Sequence, residues 1–221
     1  MNKFIGIGSS PLMESTCYAG VIAKQLGMKY VSLSRPVNTN QKICRKILSY
    51  PDYQPGDFVL IEWTSTIRYE FRTEHGWTNT NPNSYRKGTG SFEEYFYEKG
   101  PGQWEYSGIH AVLKEMIIAE TFLKSKKIDY LYIFFHDDIA QSILWQDPLC
   151  EYLRALKQLI DQSKIVTFDG HGADHWFRIN QCEYFDSTHP AASAHQQLAQ
   201  HMLDNCEIIK KLSASRDSTA S

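Results

Sequence analysis

Short apolar runs alternate along the chain with stretches whose apolar residues recur at helical spacing, the pattern of parallel β-α-β construction. Residues 3–8 (KFIGIG) read as a first buried strand ending at Gly8. Residues 13–26 carry helical periodicity and stop at Gly27, a C-terminal cap residue. Residues 29–33 (KYVSL) are a second strand, and 39–49 a helix with Ile43, Ile47 and Leu48 on one face. FVLIEW at 58–63 is a third strand, with the continuous apolar run of a sheet covered on both sides. The pattern lapses from 64 to 107 and returns as a helix at 108–126, a strand at 129–135, a helix near 148–162 and a strand at 164–168. A last helix is expected over about 191–212, and the tail 213–221 is expected to be disordered, since alanine is its only apolar residue type.

Five strands separated by helices predict a three-layer α/β/α sandwich on a flavodoxin-like parallel sheet, one domain over 1–212 with an insertion at 64–107. In such sheets ligands bind in the crevice at the carboxyl ends of the strands. The residues that follow Ile7, Leu33, Trp63, Phe135 and Phe168 are therefore the ones to inspect.

Gly8-Ser9-Ser10-Pro11 follows the first strand and enters a helix. A serine there is raised on a strand-to-helix turn, near backbone N–H groups that favour developing negative charge. By itself the pattern is also an ordinary N-cap before proline. Asp186-Ser187-Thr188-His189-Pro190 lies just before the last helix. An Asp and a His three apart can divide labour, the carboxylate orienting the imidazole while the imidazole reaches across to a serine. Each block is weak alone, but together they sit at the two ends of one α/β chain.

Through these residues the sequence resembles the SGNH (GDSL-type) hydrolases, a superfamily of esterases, lipases, deacetylases and acyltransferases, from Lys3 to about Met202. Gly8-Ser9-Ser10 is similar to the Gly-Asp-Ser block, with Ser9 in place of Asp, and Asp186 to Pro190 to the D-x-x-H-P block. The resemblance implies Ser10 as nucleophile, His189 as general base and Asp186 as its partner. It places Val37 where a glycine N–H usually helps bind the oxyanion. Asn38, Asn40 and Thr64 are the side chains that could supply further donors, and Arg68 a substrate contact. Trp63 and His136 would line the pocket. The stretch Glu62-Trp63-Thr64-Ser65-Thr66-Ile67-Arg68 resembles a divergent phage and bacterial branch. No cofactor and no metal is implied.

His136 with Asp137 and Asp138, and Asp169, His171, Asp174 and His175, are residue types that bind Zn, Fe or Mn, but their spacing matches no metal motif, and ordinary polar loop residues lining a cleft explain them better. No Gly-rich phosphate loop follows any strand. The 64–107 segment holds 10 of the 29 aromatic residues, among them Tyr69, Phe71, Trp77, Tyr85, Phe92, Tyr95, Phe96, Tyr97, Trp104 and Tyr106. Rings beside Asn and Gly suit the wall of a carbohydrate site, a contact between copies of the chain in a homo-oligomer, or packing of the insertion itself.

With 23 Lys+Arg against 25 Asp+Glu, the chain lacks the basic excess of a nucleic-acid binder. Five cysteines with no C-x-x-C pair read as reduced thiols. The absence of a signal-like or membrane-spanning run gives a cytoplasmic expectation with no membrane partner. The expected activity is a serine esterase, or acyl transferase, acting on a small-molecule or carbohydrate acyl ester. Two other readings stand beside it: a catalytically degraded binding or assembly module, and a metal-dependent hydrolase using His136 and the 169–175 loop.

Overall fold

Strand β3 (Phe58–Trp63) is buried along its whole length and is the centre of the molecule. In the computed structural model, which describes residues 1–68, 70–73, 76–79, 101–142, 145–186 and 189–217, it pairs in parallel with β1 (Lys3–Ile7) and β6 (Asp129–Phe134). β2 (Lys29–Ser32) and β7 (Ile165–Val166) close the two edges, giving the order β2-β1-β3-β6-β7. A separate antiparallel hairpin, β4 (Glu70–Thr73) and β5 (Gly76–Asn79), follows β3.

Side chains alternate across each strand, so β3 feeds two cores. Phe58 and Leu60 join one layer with α1 (Tyr18–Gln25), α6 (Ala173–Ile179), α7 (Ala192–Asn205) and α8 (Glu207–Asp217). Val59, Ile61 and Trp63 join the other, under α2 (Asn40–Ser49), α3 (Pro101–Ser125) and α5 (Glu151–Gln158). The short helix α4 (Asp137–Ala140) follows β6 directly. The five-stranded parallel sheet flanked by helices is the expected three-layer architecture.

Several boundaries differ from the sequence expectation, each for a local reason. The helix expected from residue 13 begins at Tyr18, because a 3-10 turn over Ser10–Leu12 comes first and Cys17 caps α1 by accepting the Gly20 N–H. α3 starts at Pro101, a residue tolerated where no N–H is needed, so Trp104 and Tyr106 belong to a helix and the lapse ends at 100. The strand expected at 164–168 shrinks to Ile165–Val166, since Gln162–Lys164 forms a 3-10 turn and Phe168 bridges to His171 instead. The helix expected at 148–162 is a 3-10 turn at Pro148–Cys150 followed by α5. The last helix breaks at Cys206, whose ψ of 109° is extended, and resumes as α8 to Asp217. Residues 213–217 are thus helical rather than disordered.

Much of the predicted aromatic wall cannot be placed: Tyr69, Tyr85, Phe92, Tyr95, Phe96, Tyr97 and the side chains of Phe71, Trp77 and Trp104 lie outside the described residues. Tyr106 packs against the α2–α3 core layer. The hairpin is tied to α2 by a two-pronged ion pair between Arg45 and Glu70. All five cysteines are free and buried. Among the described residues no helix is long and apolar enough to cross a membrane.

Candidate active site

Ser10 opens the 3-10 turn after β1, at the carboxyl edge of the sheet. As the first residue of that turn its N–H needs no acceptor within it. Gly8 is a requirement of packing: a Cβ there would lie 2.8 Å from Glu62 Cβ and 3.1 Å from the Glu62 carbonyl oxygen.

Asp186 and His189 come from the loop before α7. That loop is pinned as a narrow β-like ribbon, with Ala191 N–H donating to the Glu183 carbonyl (2.9 Å) and Phe185 N–H to the His189 carbonyl (2.8 Å). The ribbon carries the imidazole over Ser10. Ser10 Oγ lies 2.9 Å from His189 Nε2, and His189 Nδ1 lies 2.8 Å from Asp186 Oδ2. Asp186 Oδ1 also accepts the His189 backbone N–H at 2.8 Å, so one carboxylate fixes both ring and main chain. A carboxylate beside Nδ1 holds the proton there and leaves the Nε2 lone pair for the serine hydroxyl. Both partners are nearly half exposed, the Asp186 side chain at 46%.

A cavity of about 440 Å³ adjoins this pair, lined by Ser10, Met13, Cys17, Phe185, His189 and His195 among others. Phe185 stands at its mouth, 87% exposed. His195 is buried on the floor, stacked on Tyr18, and burial pushes its pKa down to about 4.

The residues expected on the oxyanion side divide. Val37 holds φ at +56°, the left-handed conformation that the resembled glycine would adopt without cost. For a β-branched residue it costs roughly 1–3 kcal/mol, so the loop geometry is maintained against strain. Asn38 is fully buried and donates through Nδ2 to the Gly8 carbonyl at 2.7 Å, clamping the loop after β2 to the loop carrying Ser10.

Asn40 is not a spare donor. Its Nδ2 donates to the Thr64 carbonyl at 3.0 Å and its Oδ1 accepts the Thr64 N–H at 2.9 Å. The amide is consumed in joining α2 to the end of β3. Asn40→Ala is therefore expected to lower stability by about 2 kcal/mol, read from urea unfolding, because it strands buried backbone groups. An oxyanion donor would instead lose about 10²–10³ in rate at unchanged stability.

Thr64 is buried, and its Oγ1 has no partner among the described residues. Arg68 is half-buried after β3; its charge opposes the burial that raises the Glu62 pKa and adds to the burial that lowers that of His136. His136, at the end of β6, has its pKa lowered chiefly by burial. It does not line the cavity beside Ser10. Trp63 is no pocket wall: it is fully buried in the α2–α3 layer, 5.8 Å from the Tyr132 ring. Strand alternation turns it away from the face that carries α1.

The same alternation brings in a residue that sequence reasoning passed over. Glu62, fully buried, faces α1 and accepts the Tyr18 hydroxyl at 2.7 Å and the Ser9 hydroxyl at 3.4 Å. Burial raises its pKa to about 7, against these hydrogen bonds, which favour the charged form. Ser9 thus meets a buried acid where an aspartate would add a second negative charge beside the first. One ionisable residue inside an otherwise apolar strand was the signal available.

No protein-family model matches the sequence, and no curated protein matches it. Solved structures match nearly the whole chain at low identity. One is a lipolytic protein of the G-D-S-L family from Veillonella parvula, with 12% identity and a TM-score of 0.48, covering 93% of this chain and 98% of that one. An acetyl xylan esterase from Butyrivibrio proteoclasticus has 13% identity and a TM-score of 0.47, covering 92% of this chain and 64% of that one. An acetylxylan esterase from Geobacillus stearothermophilus has 15% identity and a TM-score of 0.43, covering 92% and 93%. The α/β architecture itself, a five-stranded parallel sheet flanked by helices, stands on the chain's own strand order.

Proposed function

We propose that the protein is a serine ester hydrolase. The observation that carries this reading is the unbroken contact chain Ser10 Oγ to His189 Nε2 (2.9 Å) and His189 Nδ1 to Asp186 Oδ2 (2.8 Å), at the carboxyl edge of the sheet beside a cavity. In the first step Ser10 Oγ adds to the ester carbonyl carbon and its proton passes to Nε2. The carbonyl oxygen becomes an oxyanion, held by the Ser10 N–H and the strained loop at Val37. Collapse breaks the carbon–oxygen bond to the alcohol, which leaves with the proton from Nε2. Water, or an acceptor hydroxyl in a transferase, then gives a proton to Nε2 as it attacks the acyl-serine; collapse breaks the acyl–Oγ bond, Nε2 returns the proton to Ser10 Oγ, and the carboxylic acid or new ester leaves.

The cavity suits a compact acyl group, with Met13, Phe185 and Pro190 as its apolar contacts and Glu14 among its polar ones. A carbohydrate acyl ester is the substrate class we favour, on the aromatic and Asn-rich composition of 64–107. The test is a fluorophosphonate probe with a panel of short acyl esters. Stoichiometric labelling of the wild type and none of Ser10→Ala is the expected result. A wild type that neither labels nor hydrolyses any ester above the Ser10→Ala background would sink the reading and leave a binding module.

A further inference from the structure

Outside the triad, the described residues bring together a second set of ligating side chains at the carboxyl edge. Asp137 opens α4 after β6, and His171 and His175 come from the loop and first helical turn after β7. His171 Nδ1 lies 3.0 Å from Asp137 Oδ2, and His175 Nδ1 lies 3.4 Å from the same oxygen. The two imidazoles stack face to face, with centroids 3.7 Å apart and planes 9° apart. One ligand atom from each of the three residues lies within 4.8 Å of the other two.

We propose that Asp137, His171 and His175 form a binding site for one divalent transition-metal ion of the Zn²⁺ class. Two imidazoles and one carboxylate are the donor set such ions take. Metal–ligand bonds near 2.05 Å at tetrahedral angles put ligand atoms about 3.3 Å apart. The nitrogen-to-oxygen distances of 3.0 and 3.4 Å bracket that value.

The surroundings are built to hold this arrangement. Asp137 Oδ1 accepts the Gly172 N–H at 2.6 Å, which orients the carboxylate and leaves Oδ2 facing the rings. Gly172 packs so tightly that a Cβ would lie 2.8 Å from the Phe135 carbonyl oxygen. Asp169 turns the loop at φ +54°, and Phe168 and His171 exchange backbone hydrogen bonds at 2.9 and 3.0 Å. All three side chains are about one-third exposed, so an ion can enter and water can fill the remaining coordination positions. The neighbouring Asp138 Oδ2 accepts the Thr66 N–H at 2.7 Å and the Ser65 hydroxyl at 2.8 Å. An ion at Asp137 would therefore fasten the rim after β7 to a residue pair that already holds the rim after β3.

The test is competition for Zn²⁺ against a chromogenic chelator, using the full chain stripped with EDTA. One Zn²⁺ per chain is expected. His171→Gln and His175→Gln should each lose affinity by more than the roughly 10–100-fold seen when an outer partner of a ligand is changed. His201→Gln, on α7, should leave binding unchanged. In EDTA the variants should melt close to the wild type, which shows that they fold. Zn²⁺ at 100 times its Kd should raise the wild-type Tm by roughly 5–10 °C and the variants' Tm hardly at all. Co²⁺ in its place should give visible d–d absorption that both His variants lose. Substoichiometric binding by the wild type, or equal binding by the His171 and His175 variants, would overturn the proposal.

Discussion

Replacing His189 by alanine is expected to lower kcat for a short acyl ester by about 10⁴–10⁶-fold, and replacing Ser10 by alanine to do the same. The double variant should be no worse than either single one. Nucleophile and base act as one unit, so once either is lost the other has no proton to move or no oxygen to activate. Asp186→Asn should cost less, about 10²–10⁴-fold. The amide can still accept the His189 backbone N–H, now 2.8 Å from Oδ1, but its NH₂ disfavours a proton on Nδ1. Near half exposure of both partners lets water replace part of what the carboxylate supplies. Single-turnover rates on a nitrophenyl ester separate these cases. Rates within tenfold of wild type for His189→Ala would exclude the proposed base.

The second large effect is on stability. Glu62 has an ordinary pKa of 4.5 and a folded value of about 7. Below pH 4.5 it is protonated in both states, and its neutral form is stable in the core. As pH rises the unfolded chain ionises first, so stability falls through the 4.5–7 window at about 1.4 kcal/mol per pH unit and levels off above it. His195 has the opposite slope. Its folded pKa of about 4 lies below the ordinary 6.5, so stability rises with pH between those values. In the wild type the two slopes largely cancel between pH 4.5 and 6.5. Glu62→Gln should remove one and expose the other, giving a gain of about 3 kcal/mol over that window relative to wild type. Urea unfolding at half-unit pH steps reads this directly, and parallel profiles for the two proteins would contradict it.

The parts legible from sequence were those whose cause is local. β3 declared itself by a run of apolar residues, and Asp186 and His189 by a spacing of three before a helix. Ser10 was legible as a serine at a strand-to-helix turn, though its 3-10 geometry delayed the helix to Tyr18. What stayed hidden depends on parity and on distant partners. Trp63 and Glu62 are adjacent, yet face opposite layers, and only the placement of α1 says which one meets Ser9 and Tyr18. Asn40 looked available until Thr64, 24 residues away, took both ends of its amide. Val37 holds a left-handed backbone, which a side-chain pattern does not reveal.

The contact between Ser10 and His189 spans 179 positions of the chain. A chain emerging from the ribosome would carry the serine long before its base exists, and closing that distance has an entropic cost that α1 and α7 must offset by docking. On the proposed function, the growing chain would gain activity toward esters only when the loop before α7 docks. In refolding, reactivity toward the probe should return only with the last tertiary contacts, after helix content has recovered.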